Sequence, residues 1–227
     1  MTFYAQMPSP LGQVLLRSDG QALTGVFFIG QKDCPAIDGL AGARPQRFDP
    51  TAGLMAGAPI KKFKAYKHDG QSGDLFDDPC PDPVPDVGQL DVGELNADDL
   101  LFMQEQTLPD AMALFRQTQI ELHEYFAGRR QVFDVPLALV GTEFQKKVWR
   151  ALLDIPYGQV VSYGDVARAA GLSAQHGRPV GTPVGRNPIT ILIPCHRVLS
   201  STGTLTGYSG GLDRKFSLLE LEGFLLR

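Results

Sequence analysis

The stretch from about residue 43 to residue 105 constrains the fold of this 227-residue chain more than any other feature. Residues 68–115 contain no Lys or Arg and twelve Asp/Glu. Within that block Pro79, Pro81, Pro83 and Pro85 alternate with Cys80, Asp82 and Val84, so every second backbone nitrogen lacks a proton for a sheet ladder. The preceding Lys61-Lys62-Phe63-Lys64-Ala65-Tyr66-Lys67 is a basic cluster with interleaved aromatics. A run this long without periodicity reads as an insertion at about 43–105, leaving two flanks to pack around it. The flanks differ from it in charge. Residues 1–67 and 116–227 are each net +4, against −4 for the whole chain. The overall acidity therefore does not exclude nucleic acid as a partner, although acids near a binding face would repel phosphate.

The first flank reads as strands. Gln13–Arg17 and Leu23–Ile29 are short apolar segments joined through Asp19-Gly20, a hairpin-type turn signal. The second flank is helical. After Pro109, residues Ala111, Leu114, Phe115, Thr118, Leu122, Tyr125 and Phe126 share one helical stripe, ended by Gly128. Thr142-x-x-Gln145 is a capping-box signature for a helix with Phe144, Val148, Trp149 and Leu152 inward, broken at Pro156-Tyr157-Gly158. Ser162-x-x-Asp165 opens another, with Val166 and Ala170 inward and Gly171 as its cap. The glycine-rich Gly177-Arg178-Pro179-Val180-Gly181 follows, and two short helices about a turn resemble a helix-turn-helix. Ile189–Ile193 reads as a buried strand stopped by Pro194, and a last helix runs from about Leu212 to Glu222 before Gly223.

Composition removes several classes. A 43% hydrophobic and 20% charged chain is globular in character. No apolar run approaches the ~20 residues of a membrane helix. Met1–Gln6 lacks the basic start and apolar stretch of a signal peptide, so a cytoplasmic or otherwise intracellular protein is expected. Three cysteines, Cys34, Cys80 and Cys195, make neither a disulfide framework nor a Cys-x-x-Cys zinc site. Cys34, Cys80, His68 and His123 are too scattered for a closed tetrahedral centre, and no metal or cofactor is expected.

Pro194-Cys195-His196-Arg197 is the sharpest chemical feature. A thiol beside an imidazole and a guanidinium lies in a field that favours thiolate, the nucleophilic form. The same tetrapeptide also suits a buried structural cysteine with two surface cations nearby. On an extended chain Cys195 and His196 point apart, so the imidazole would act through a water or a chain bend. Glu222, three and four residues after Leu219 and Leu218, is a carboxylate in search of a partner such as His196, and spacing leaves Glu220 an equal alternative.

Gly185–Val198, read as Gly-Arg-Asn-Pro-Ile-Thr-Ile-Leu-Ile-Pro-Cys-His-Arg-Val, resembles the active-site motif of the O6-alkylguanine-DNA alkyltransferases (methylated-DNA–protein-cysteine methyltransferases). Further segments agree in order: Phe144-x-x-x-Val148-Trp149, Pro156-Tyr157-Gly158, Val161-Ser162-Tyr163, Gly207-Tyr208-Ser209-Gly210-Gly211-Leu212, and Leu218-Leu219-x-x-Glu222-Gly223. The resemblance covers about residues 110–227, with a weaker continuation from Pro8-Ser9-Pro10-Leu11-Gly12 to Phe27-Phe28.

It implies an α+β protein. Residues 1–140 would form a ribonuclease-H-like domain, a small sheet plus a helix carrying the insertion. Residues 141–227 would form a winged helix-turn-helix-type helical domain that binds DNA and accepts the alkyl group. The implied activity is direct-reversal repair. The alkyl group of O6-alkylguanine, and of O4-alkylthymine as a further substrate, passes irreversibly to Cys195, one lesion per molecule. By position, His196 acts as base through a water, Glu222 orients it, and Asn187 holds the active-site turn. Tyr163 assists nucleotide flipping and donates a proton toward the guanine. Arg178 enters the duplex in place of the flipped base, Ser201 contacts the DNA backbone, and Tyr208 and Ser209 enclose the base. The implied partner is double-stranded DNA bound through its minor groove by a monomer. Pro179 and Pro183 depart from the family's finger helix; Pro183 would cost a hydrogen bond inside a helix, so a shorter or irregular segment is expected there. The alternatives are a non-catalytic alkylated-base binder that recruits other repair factors, and a cysteine hydrolase using Cys195 and His196.

Overall fold

The structure is a computed structural model, which describes residues 1–37, 93–104, 106–173 and 177–224, with Gly177 and Arg178 described by backbone alone. Most of the insertion, including Cys80, His68, the basic cluster and the alternating prolines, lies outside the described residues. The described residues divide into two compact units, one of 1–37, 93–140 and 188–192, the other of 141–187 and 193–224. The architecture is α+β. No helix among the described residues is long and apolar enough to cross a membrane.

The first unit is built on a four-stranded antiparallel sheet in the order β3-β2-β1-β4. Its strands are β1 (Phe3–Met7), β2 (Val14–Ser18), β3 (Leu23–Phe28) and β4 (Leu101–Phe102). In β1 the period of two puts Phe3, Ala5 and Met7 into the core. The β2–β3 turn closes as its sequence predicts: Asp19 Oδ1 accepts from the Gln21 and Ala22 amides at 2.9 Å, and Gly20 adopts φ +108°. All of β3 is buried, because two passing segments satisfy its outer edge. Leu23 exchanges hydrogen bonds with Pro136 and Ala138 at 2.8 Å, and Val26 with Pro188 at 2.9 Å and Thr190 at 3.0 Å. Helix α1 (Pro109–Phe126) packs on this sheet with all seven expected stripe residues buried, and Gly128 follows at φ +70°.

The second unit holds α2 (Glu143–Leu153), β5 (Val161–Ser162), α3 (Tyr163–Ala169), α4 (Gly177–Gly185), β6 (Val198–Leu199) and α5 (Leu212–Leu221), with β5 and β6 paired in parallel. Both expected capping boxes form. Thr142 Oγ1 accepts from Gln145 N at 3.2 Å and Ser162 Oγ from Asp165 N at 3.2 Å, each with the reciprocal side-chain bond.

Four readings need correction. Leu101–Phe102 falls in the stretch taken as insertion, yet it pairs with β1 at Ala5 and Gln6, so the sheet resumes before residue 105. Phe144, expected inward, is 38% exposed, since at the second helical position it precedes the turn that packs. Helix α4 runs through Pro183, whose carbonyl takes the buried Trp149 indole N–H at 2.9 Å. Ile189–Ile193 is not a strand. The Leu192 amide bonds Thr190 O at 3.0 Å across Ile191, whose φ is +74°. That is the positive-φ form of the γ-turn, rare and strained for a β-branched residue. Pro194 then centres a second turn of the common inverse form, with φ −79°, ψ 59° and Cys195 N bonded to Ile193 O at 2.8 Å.

Candidate active site around Cys195

These successive turns present Cys195 as the first residue of a short 3₁₀ helix, Cys195–Arg197, all of it buried. Asn187 spans the excursion. Its Nδ2 donates to Ile193 O at 2.7 Å and to Cys195 Sγ at 3.1 Å, tying the turn to the sulfur it carries. Burial pushes the Cys195 thiol up; the Asn187 bond and the Lys215 charge oppose that without reversing it. The resting group is therefore a thiol, contrary to the thiolate-favouring field expected of its neighbours.

The reason lies in where the guanidinium goes. Arg197 turns to Glu222, donating from Nε to Oε2 at 2.8 Å and from Nη2 to Oε1 at 2.9 Å, while Nη1 donates to Ile155 O at 2.5 Å. Glu222 caps α5 and also accepts from His196 Nε2 at 2.8 Å and Gly158 N at 3.3 Å, so four donors converge on its two oxygens. Burial alone would raise its pKa; His196 and Arg197 outweigh burial and hold the carboxyl well below the usual range. For His196 burial wins, with Arg197 and Lys215 adding to it against the pull of Glu222, so the imidazole stays neutral. Arg197 is thus the charge that neutralises Glu222. A carboxylate acceptor fixes the proton on Nε2 and leaves Nδ1 with a free lone pair. Nδ1 is buried and without a hydrogen-bond partner, so the ring does not bond the Cys195 sulfur directly. Glu220 stands apart from this cluster, half-buried, with burial raising its pKa.

Lys215 is the residue that sequence reasoning missed. It is fully buried on α5, with Nζ donating to Val198 O at 2.5 Å and Thr206 O at 2.9 Å. Burial brings it down to about 8, opposed by Cys195. Its signal was present: Lys215, Leu218, Leu219 and Glu222 follow the i, i+3, i+4, i+7 spacing of one helix face.

Tyr163 begins α3, and its hydroxyl donates to Thr206 O at 3.3 Å. Burial raises its pKa, the Thr206 bond opposes this, and Cys195 adds to the rise. Tyr208 and Ser209 bring buried hydroxyl oxygens that have no hydrogen-bond partner, and burial, followed by Cys195, pushes the Tyr208 phenol well up. Ser201 is exposed in the turn after β6, away from the buried cluster. Arg178 is placed only as a backbone position in the first turn of α4. Among the described residues no three His, Cys, Asp or Glu side chains gather as a metal site.

Residues 143–224 match the family described as 6-O-methylguanine DNA methyltransferase, DNA binding domain. The chain is 52% identical over 109 residues to the methylated-DNA–protein-cysteine methyltransferase of Methanosarcina acetivorans, covering 48% of this chain and 69% of the relative. It is 54% identical over 102 residues to the Mycobacterium tuberculosis protein of the same name, covering 45% of this chain and 61% of that one. Among solved structures it resembles Mycobacterium tuberculosis O6-methylguanine methyltransferase, with a TM-score of 0.58 and 30% identity over 98% of this chain and 93% of that chain. It is also similar to Mycobacterium tuberculosis OGT in complex with DNA, with a TM-score of 0.59 and 31% identity over 96% of this chain and 91% of that chain.

Proposed function

The chain belongs to the methylated-DNA–protein-cysteine methyltransferase family, and we propose from this that it repairs O6-alkylguanine in DNA by transferring the alkyl group to Cys195. The observation that carries the reading is the buried relay of Arg197, Glu222 and His196 beside a thiol held by Asn187. Glu222 fixes His196 as the Nε2–H tautomer. Nδ1 then takes the Cys195 proton through a bridging water, because no direct bond joins ring and sulfur. The thiolate, with the Lys215 charge nearby, displaces guanine at the alkyl carbon. The S–C bond forms as the C–O6 bond breaks, and the electron pair leaves with the guanine. Tyr163 donates a proton toward that base, and Asn187 keeps the sulfur in line.

The product is a thioether, which water does not cleave at ordinary pH, so each molecule acts once. O4-alkylthymine is a further substrate on the same chemistry. DNA is the partner. Helices α3 and α4, with the β5–β6 pair and the turn after β6, serve as the winged helix-turn-helix, and the first unit as the ribonuclease-H-like domain. Minor-groove binding by a monomer places Arg178 in the stack vacated by the flipped nucleotide, offsetting part of the few kcal/mol that flipping costs. Ser201, exposed on the turn, suits a backbone contact. Tyr208 and Ser209 supply unpaired hydroxyls to a base in the pocket. We place this activity inside the cell, without a cofactor. A purely non-catalytic binder has no use for the Cys195 relay.

The test is mass spectrometry after incubation with a stoichiometric O6-methylguanine duplex. One methyl increment on the peptide bearing Cys195, absent in Cys195→Ala, is expected; an unmodified Cys195 peptide in the intact protein refutes the reading. Repeated turnover would instead identify a hydrolase.

A further inference from the structure

Arg197 controls the charge state of Glu222, which raises the question of what holds Arg197. The turn between α2 and β5 touches this pair at three points and the residue before Glu222 at a fourth. Ile155 O accepts from Arg197 Nη1 at 2.5 Å. The Tyr157 ring lies under the guanidinium, 5.8 Å from its carbon to the ring centroid. Tyr157 OH donates at 2.9 Å to the carbonyl of Leu221, the residue before Glu222, and Gly158 N donates to Glu222 Oε2 at 3.3 Å. Gly158, at φ +73°, has the backbone freedom this turn requires.

We propose that Tyr157 is a positioning residue of the transfer reaction, holding the Arg197 plane against Glu222 with its ring and the chain leading into Glu222 with its hydroxyl. Helix geometry leaves the last carbonyls of α5 without intrahelical partners, and Leu221 O finds its partner in this phenol. Burial, with Glu222 adding to it and Arg197 opposing, pushes the phenol to about 12, so the group remains a donor throughout the working range. An aromatic face under a partly desolvated guanidinium restrains both its position and its plane. Tyr157 acts through Arg197 and Glu222.

The inference rests on the alkyl-transfer reading and predicts a change in pH dependence. The groups that bear on His196 are Glu222, Arg197 and Lys215; those that bear on Glu222 are His196, Arg197 and the Gly158 amide, with Tyr157 behind Arg197. A loosened Arg197 neutralises Glu222 less completely. A less neutralised carboxylate favours imidazolium, and the base is then lost at a higher pH.

The experiment uses full-length Tyr157→Leu and Tyr157→Phe. Single-turnover transfer from an O6-methylguanine duplex is followed from about pH 4 to about pH 8.5, a range extended downward because burial lowers His196 from the usual histidine value, alongside duplex affinity and thermal melting. Tyr157→Leu should slow transfer about tenfold, as small misplacements of catalytic groups do. Its acid-side midpoint should rise by about half a unit, with duplex affinity unchanged. Tyr157→Phe keeps the ring and should shift the midpoint the same way by less; if the leucine variant does not fold, this shift decides. A midpoint left at the wild-type value overturns the proposal, even where melting temperature falls. Failure of the wild-type protein to transfer refutes the alkyl-transfer reading instead, before any variant is compared.

Discussion

Replacing Arg197 by Met tests the electrostatic account of the site through stability alone. The guanidinium makes two bonds to a carboxylate that is wholly shielded from solvent, and the Arg197 side chain is itself only 6% exposed. Bonds to charged groups contribute about 1.5–3 kcal/mol each. Removing one member of a buried ion pair costs about 3–5 kcal/mol, because the remaining charge is stranded. A loss of about 4 kcal/mol at neutral pH is therefore expected for Arg197→Met, part of it from the Ile155 carbonyl left open. Adding Glu222→Gln removes the stranded charge, so the double variant should be about 2 kcal/mol more stable than the two single losses sum to. The pH dependence should also reverse. In the wild type the lowered His196 value means that the unfolded chain binds more protons below pH ~6.5, and stability falls on acidification by up to ~1.4 kcal/mol per unit. In Arg197→Met, acidification delivers a proton to Glu222 or His196 that relieves the buried charge, so stability should rise over the same window. Urea denaturation at several pH values measures both effects. A single-variant loss under ~1 kcal/mol, or a slope of the wild-type sign in Arg197→Met, would refute the reasoning.

Three further outcomes are expected by the same assay. Thr190→Val should be neutral or stabilising by about 1 kcal/mol, because the Thr190 hydroxyl is buried without a partner and its amide bond to Val26 O is unaffected. Gly141→Ala should cost about 1–3 kcal/mol, since a Cβ there would lie 2.8 Å from the Trp149 ring and 2.9 Å from Gln145 Oε1. Thr142→Ala removes one half of the α2 capping box and should cost about 1 kcal/mol, whereas Thr142→Ser should not.

Local signals carried much of the fold. The α1 stripe, both capping boxes and the Asp19-Gly20 turn depend on spacing within a few residues, and each formed where its spacing placed it. Features decided by distant partners were less legible. Ile189–Ile193 has the composition of a strand, but hydrogen bonds to Val26 and the Asn187 tether fold it into consecutive γ-turns. Pro183 looked like a helix breaker, yet α4 continues through it, with Trp149 donating to its carbonyl. At the site, Cys195, His196 and Glu222 stood out by chemistry and resemblance. Arg197 was misread because its nearest neighbour in sequence is not its partner in space. Lys215 was passed over although its helical spacing to Glu222 was visible, since a lysine on an apolar face is ordinarily discounted.

The homology match runs unbroken from 143 to 224, but the folded matter beneath it does not. Residues 188–192 belong to the first unit, where Pro188 and Thr190 complete the edge of β3, and the chain rejoins the second unit at Ile193, just before Cys195. The two units are therefore not interchangeable cassettes. A recombination joint at Val140 would carry away the segment that borders β3 together with the second unit. In a lineage that shuffled these units, the five residues and the strand they border would have to be inherited together.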